Sequence, residues 1–335
     1  MANSVLRIAI AGCGQAARIH VDRLLDQPDV EIVGCADSER ASADKLADRI
    51  AEKSGKTPAV FSDYHGLLEL DRPPDALGVF TPHLFHYRLT MDALQAGCHV
   101  FVEKPLSTNS QEAADIVNLA RGRQRKVGVG HQYRLRPSLI ESRKRLKADA
   151  IGPLRLVTAV MAEPWLARQE GRGLESSWRF DPKIAGGGLL SDAGDHLVDA
   201  LLWMTGLAAR EVFAAQSKLP TGLDVVTAAT IRLEGDVPAT LALSGVSRGS
   251  LFELTFFGER GRIRATDTTL EIDDGDGNAR LVEPADVGES IDGNFLAALR
   301  GESPLSCPAD EALDTVRLSE AIARSAVAGQ VVQVA

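Results

Sequence analysis

Over the first 130 positions apolar residues fall into short runs almost free of charge, separated by stretches where they recur every three or four residues. LRIAIAG (6–12), VEIVGCAD (30–37), ALGVFTP (76–82), HVFVEKP (99–105) and KVGVGHQYR (126–134) predict strands covered on both faces, as in a parallel sheet. ARIHVDRLLDQ (17–27), FHYRLTMDALQAG (85–97) and SQEAADIVNLARGRQ (110–124) predict amphipathic helices. Ser107, Thr108, Asn109 and Ser110 are candidate caps for the last of them. Strand alternating with helix predicts a doubly wound α/β sheet.

The texture changes after about residue 135. RPSLIESRKRLKAD predicts a helix and PLRLVTAVMA a strand; from 210 to 284 one β-rich run follows another, split by EGDVP, GERG and DDGDG. These runs alternate apolar and polar residues, so they predict an open, mostly antiparallel sheet with one covered face. A last helix, DEALDTVRLSEAIARSAVAG, stops at Gly329. The expected architecture is α/β overall: a parallel-sheet domain over 1–130 and an α+β domain over 131–335.

One segment breaks the pattern. In GGGLLSDAGDHLVDALLWMTG (186–206), Leu190, Leu197, Leu201 and Met204 form an apolar helical stripe, widened by Val198 and Leu202. Asp192, His196 and Asp199 recur at i, i+4 and i+7 on another face. Three readings fit: groups facing a substrate cavity, ligands for a divalent ion, or a core histidine satisfied by a helical aspartate.

Length suits two domains, at 335 residues, and a composition 44% hydrophobic and 25% charged is that of an ordinary globular chain. No apolar run approaches the ~20 residues of a membrane span, and the N-terminus lacks a basic signal-peptide region. A net charge of -9 argues against a nucleic-acid or anionic-membrane partner. Cys13, Cys35, Cys98 and Cys307 lack metal spacing and read as reduced thiols of a cytoplasmic protein. No metal site is expected.

AGCGQAA follows one predicted strand and opens a helix, the context of a dinucleotide-binding turn. Gly12 permits the turn and Gly14 a close approach of backbone to pyrophosphate; Gln15 and Ala16 open the helix, and Ala17 allows close packing. Asp37 lies 20 residues beyond Ala17, where a carboxylate can accept from a ribose diol. Asp37 favours NAD; Ser38 and Arg40 keep NADP open. Glu103 and Lys104 end the fifth strand, at the sheet edge where ligands gather. There Lys104 is either a donor to a reacting oxygen or half of a surface pair.

With GHQYRLRP and the Asp-x-x-x-His segment in the same order, the chain resembles the Gfo/Idh/MocA family of NAD(P)-dependent oxidoreductases over nearly its whole length. The resemblance implies an N-terminal Rossmann domain and a catalytic group of Lys104, Asp192 and His196. It further implies that Thr81, Pro82 and His86 border the dinucleotide, with Glu103 and Lys104 beside it. His131, Tyr133, Trp165, Arg168, Trp178 and Arg179 are candidate walls of a substrate pocket, Arg134 with them. The implied activity is hydride transfer between nicotinamide and a sugar, cyclitol or related polyol in a homodimer or homotetramer. Alternatives are redox-neutral glycoside cleavage with tightly held NAD, and a dinucleotide-binding sensor. His20, His65, His83 and His99 carry no assigned role.

Overall fold

The computed structural model describes residues 5–171, 177–285 and 288–335. The chain divides into two compact units. The first takes the chain up to Ser107, Gln111–Gly130 and Glu289–Asp310; the second takes Thr108–Ser110, His131–Gly288 and Glu311–Ala335. The Glu289–Asp310 segment, placed by sequence with the second domain, thus belongs to the first unit. Its Ile291–Arg300 helix, capped by Ser290 accepting the Gly293 N–H, packs against the Gln15–Leu25 helix.

The first unit is built on β1 (Leu6–Ala11), β2 (Val30–Ala36), β3 (Ala59–Phe61), β4 (Ala76–Val79), β5 (His99–Val102) and β6 (Val127–Val129), ordered β3-β2-β1-β4-β5-β6. All pairings are parallel. Ile8, Ile10, Leu77, Val79, Val100 and Val102 are buried, which is why charge is confined to Arg7 and Glu31 near the half-buried starts of β1 and β2. The reversal of strand order at β1 and β4 makes the carboxyl ends there the natural ligand edge of such a sheet.

The second unit carries β7 (Leu154–Ala162), β8 (Ala209–Lys218), β9 (Asp224–Leu233), β10 (Val237–Ser244), β11 (Leu251–Gly258), β12 (Arg262–Thr266), β13 (Leu270–Asp273), β14 (Arg280–Val282) and β15 (Val332–Gln333). Their order is β14-β13-β12-β11-β7-β10-β9-β8-β15, antiparallel throughout except where β10 meets β7. Along β10, Val237, Ala239, Leu241 and Leu243 are buried while Pro238, Thr240 and Ala242 face out. The buried face joins Leu139, Leu197, Leu201, Met204, Leu318 and Ile322 from three helices in one core. The outward face holds Phe213, Ala215, Ala228, Thr230 and Ala242.

Candidate functional site

In the first unit, β1 runs into Gly12, whose N–H donates to the Ala36 carbonyl at 2.9 Å. Gly12 sits at φ +86°, and a Cβ there would lie 2.6 Å from the Phe80 carbonyl oxygen, so only glycine fits. Around Gly14 the space is open. The Gln15–Leu25 helix starts at once, with no acidic residue in its first turn and no side-chain cap. Its first amides, over exposed Gln15 and half-buried Ala16, are therefore left for a ligand's oxygens. Asp37 locks the turn: Oδ2 accepts the Cys13 N–H at 2.8 Å and Oδ1 the Glu39 N–H at 2.9 Å. Ser38 is exposed beside it, and Arg40 pairs with Asp44 at 2.9 Å. A glycine cradle, open amides and a fixed carboxylate fit a dinucleotide.

Thr81 and Pro82 form a half-buried turn just beyond β4. His86, expected to border the cofactor, lies wholly inside. Its Nδ1 meets the Pro105 carbonyl at 2.7 Å and its Nε2 the Thr81 carbonyl at 2.9 Å. It lies between two turns rather than presenting a nitrogen outward. Burial holds its pKa below the ordinary histidine value, so the neutral ring has one N–H and donates to one of the two carbonyls. Glu103 is likewise occupied internally. Oε2 accepts the Lys104 N–H at 3.1 Å, and Oε1 meets His20 Nε2 at 2.9 Å.

In the second unit the glycine-rich segment is not the helix its leucines predict. The helix runs only over Asp195–Thr205, and Asp192 lies in the turns before it. The cause is Asp224, 5% exposed at the start of β9. Its Oδ1 accepts the Gly188 N–H at 2.9 Å and its Oδ2 the Leu190 N–H at 2.8 Å, while its carbonyl takes the Leu189 N–H. Those amides are drawn to β9 instead of to a helical ladder. A Cβ at Gly188 would fall 2.1 Å from the Asp224 carbonyl oxygen.

The looped path turns Asp192 toward two donors. The buried Trp165 indole donates to its Oδ2 at 2.8 Å and Arg179 Nε donates to the same oxygen at 2.9 Å. The Arg179 guanidinium lies over the Trp178 ring, 4.3 Å from its centroid. Arg168 points elsewhere, pairing with Glu163 at 2.9 Å. His196, in the helix's first turn, stacks flat on Tyr133 with centroids 4.6 Å apart and meets His131 edge-on at 5.9 Å. His131 lies 3.4 Å from Asp195 and 3.7 Å from Asp199.

Arg134 reaches Asp199 at 2.6 Å and also pairs with Glu311. Burial alone would raise the Asp199 pKa, but the Arg134 charge and hydrogen bonds, with the histidines, hold it below the usual carboxylate value. Asp199 thus answers Arg134 and Asp192 answers Trp165 and Arg179, which separates two members of the metal-ligand set read from spacing. Sequence reading missed Asp224, His20 and Asp292. A histidine on the apolar stripe beside Val21 and Leu24 was the only available signal.

Residues 6–131 match the oxidoreductase family with an NAD-binding Rossmann fold, and residues 140–264 match the GFO/IDH/MocA C-terminal domain. The chain belongs to the Gfo/Idh/MocA oxidoreductase family. Among relatives of the family, it is 30% identical over 220 residues to D-glucoside 3-dehydrogenase of Escherichia coli (strain K12), covering 65% of this chain and 59% of that protein. It is 30% identical over 267 residues to dTDP-3,4-didehydro-2,6-dideoxy-alpha-D-glucose 3-reductase of Saccharopolyspora spinosa, covering 77% of this chain and 74% of that one. The fold is shared with levoglucosan dehydrogenase in complex with NADH and L-sorbose. There the TM-score is 0.86 at 20% identity, over 99% of this chain and 100% of that one.

Proposed function

We propose that this family member is an NAD-dependent oxidoreductase acting on a hydroxyl or carbonyl of a sugar, cyclitol or related polyol. The observation that carries the reading is the Asp192 carboxylate, fixed by Trp165 and Arg179 on a loop leading straight into His196. Indole faces and planar donors suit a hydroxylated ring, and the glucoside dehydrogenase and dTDP-sugar reductase among the relatives support that substrate class. NAD, when bound at Gly12, Gly14 and Asp37, supplies a two-electron acceptor for hydride from the substrate carbon.

The chain's own residues handle the proton and the charge. His196 takes the hydroxyl proton in oxidation and returns it in reduction, its stacking on Tyr133 fixing the ring plane. Lys104 donates a hydrogen bond to the reacting oxygen and stabilises its developing negative charge. Asp192 holds a neighbouring hydroxyl, with Trp178 and Arg179 forming a wall of the sugar site. Asp37 supports NAD over NADP, since its carboxylate repels a 2′-phosphate. The small and aromatic residues on the outward sheet face, Phe213, Ala215, Ala228 and Ala242 among them, support a homodimer or homotetramer formed through that sheet. Four buried cysteines that form no disulfide support a cytoplasmic protein, and among the described residues no helix is long and apolar enough to cross a membrane.

The deciding experiment is a panel of sugars, glycosides and cyclitols with NAD or NADP, followed by absorbance of the reduced nicotinamide. Reduction with NAD and a polyol is expected. Cleavage of a glycoside without net reduction would overturn the reading in favour of redox-neutral hydrolysis, and binding of NADH without turnover on any member in favour of a sensor.

A further inference from the structure

His20 lies on the helix that follows the phosphate loop, 5% exposed, yet its ring meets two carboxylates. Nδ1 is 2.6 Å from Asp292 Oδ1 and Nε2 is 2.9 Å from Glu103 Oε1. An ionised carboxylate only accepts, so both ring nitrogens must donate, and only an imidazolium does that. Phe80 fixes the ring plane by stacking at 4.5 Å and 8°, with Phe101 tilted against it at 5.2 Å. Asp292, in the first turn of the Ile291–Arg300 helix, is 2% exposed and also faces Arg23 at 3.4 Å. The second oxygen of Glu103 accepts the backbone N–H of Lys104. A chain of charged hydrogen bonds therefore runs from the Ile291–Arg300 helix through His20 to the peptide that carries the lysine.

We propose that His20 is a positioning residue for the reaction: clamped between Asp292 and Glu103, it ties the helix that opens the cofactor cradle to the strand end presenting Lys104. The proposal rests on the reading that Lys104 serves hydride transfer. Burial opposes a charge on His20, but the hydrogen bonds to Asp292 and Glu103 and their charges more than reverse this and hold its pKa up to about 9. Without the clamp, Glu103 loses a charged partner that helps to orient it and the Lys104 peptide a firmly held acceptor, while the glycine turn and its amides stay in place. Loss of His20 should therefore act on turnover more than on cofactor affinity.

The test uses the full chain, NADH as binding probe, the fastest substrate of the panel, and His20→Gln, Glu103→Gln, their double variant and Lys104→Met. His20→Gln should bind NADH within about threefold of the parent and lose about 10–100-fold in kcat, with KM little changed, as expected for one charged hydrogen bond. The double variant should be no slower than the slower single one, because both act through one chain of contacts. Asp292→Asn, which keeps the shape and weakens one arm, should lower kcat in the same direction and stands in if His20→Gln does not fold. Nitrogen-15 spectra at pH 7.5 should show both His20 ring nitrogens protonated, with the Nε2 signal moved by Glu103→Gln. A neutral ring, an unchanged kcat per NADH-binding site, or losses that multiply in the double variant would overturn the proposal. If Lys104→Met keeps full turnover, the underlying role of Lys104 falls and this one with it. If Lys104→Met is inactive while His20→Gln is unimpaired, only the clamp is refuted.

Discussion

Trp165 and Asp192 are joined by a single buried hydrogen bond, the indole N–H on the carboxylate at 2.8 Å. The indole is 2% exposed, so this donor has no water to take its place. Trp165→Phe keeps most of the apolar contact and removes the N–H. It should cost about 1.5–3 kcal/mol of stability, the usual worth of one hydrogen bond to a charged group, while Arg179 still donates to the same oxygen. It should also lower kcat about tenfold while NADH affinity holds. Steady-state kinetics beside a urea titration check both. An unchanged kcat would remove Asp192 orientation from the mechanism.

Gly188 marks where the loop before His196 is pressed against β9. Gly188→Ala would place a methyl group 2.1 Å from the Asp224 carbonyl oxygen, and backbone cannot give way as a side chain can. The loop must then release the two amides held by Asp224. The expected loss is about 3 kcal/mol or more, in line with severe overpacking, read as a lower urea midpoint. Gly14→Ala, where a Cβ meets nothing within 4 Å, is the control and should leave stability near that of the parent.

The Arg134–Asp199 pair is buried at both ends, with side chains 2% and 0% exposed. Arg134→Met leaves a carboxylate in the core without its cation and should destabilise by about 3–5 kcal/mol. Removing both charges, as in Arg134→Met with Asp199→Leu, should cost less than Arg134→Met alone. Denaturant midpoints of the three variants test this. If the double variant is the least stable, the pair contributes more than the mutual neutralisation of two buried charges.

Stability should fall on both sides of neutrality, for two different histidines. His20 titrates near 6.5 when unfolded and about 9 when folded, so its contribution is whole below 6.5 and is lost as pH rises through about 9. His86 is shifted the other way, by burial, so its contribution is present above 6.5 and is lost as pH falls below that value. Urea midpoints between pH 5 and 10 should bend down at both ends. In His20→Gln the alkaline limb should flatten while the acid limb persists.

How far these features could be read from sequence depended on the range of the forces involved. The strands of the first unit announce themselves because burial on both faces excludes charge over several consecutive residues, as in Ile8–Ala11. The three-residue strand Ala59–Phe61 is too short to show a pattern. Leu190, Leu197 and Met204 are all buried, yet the helix begins only at Asp195, so Leu190 joins the core from the turns before it and not from a helical stripe. Asp224, 36 residues away from Gly188, dictates the backbone before it. His20 was left without a role for the same reason: its partners lie 83 and 272 residues along the chain. Lys104, Asp192 and His196 were legible as motifs, whereas the tryptophan, arginine and tyrosine contacts that orient them follow from tertiary structure alone.

The return of the Ile291–Arg300 helix to the first unit means that the nucleotide-binding unit is sewn shut by residues translated after most of the second unit. A fragment ending at Gly130 would lack Asp292, leaving His20 beside a single acid and the Gln15–Leu25 helix without its late-arriving neighbour. Cofactor affinity measured on such a fragment would describe an unfinished module, and ribosome-bound chains would gain a competent cradle only after most of the second unit had emerged.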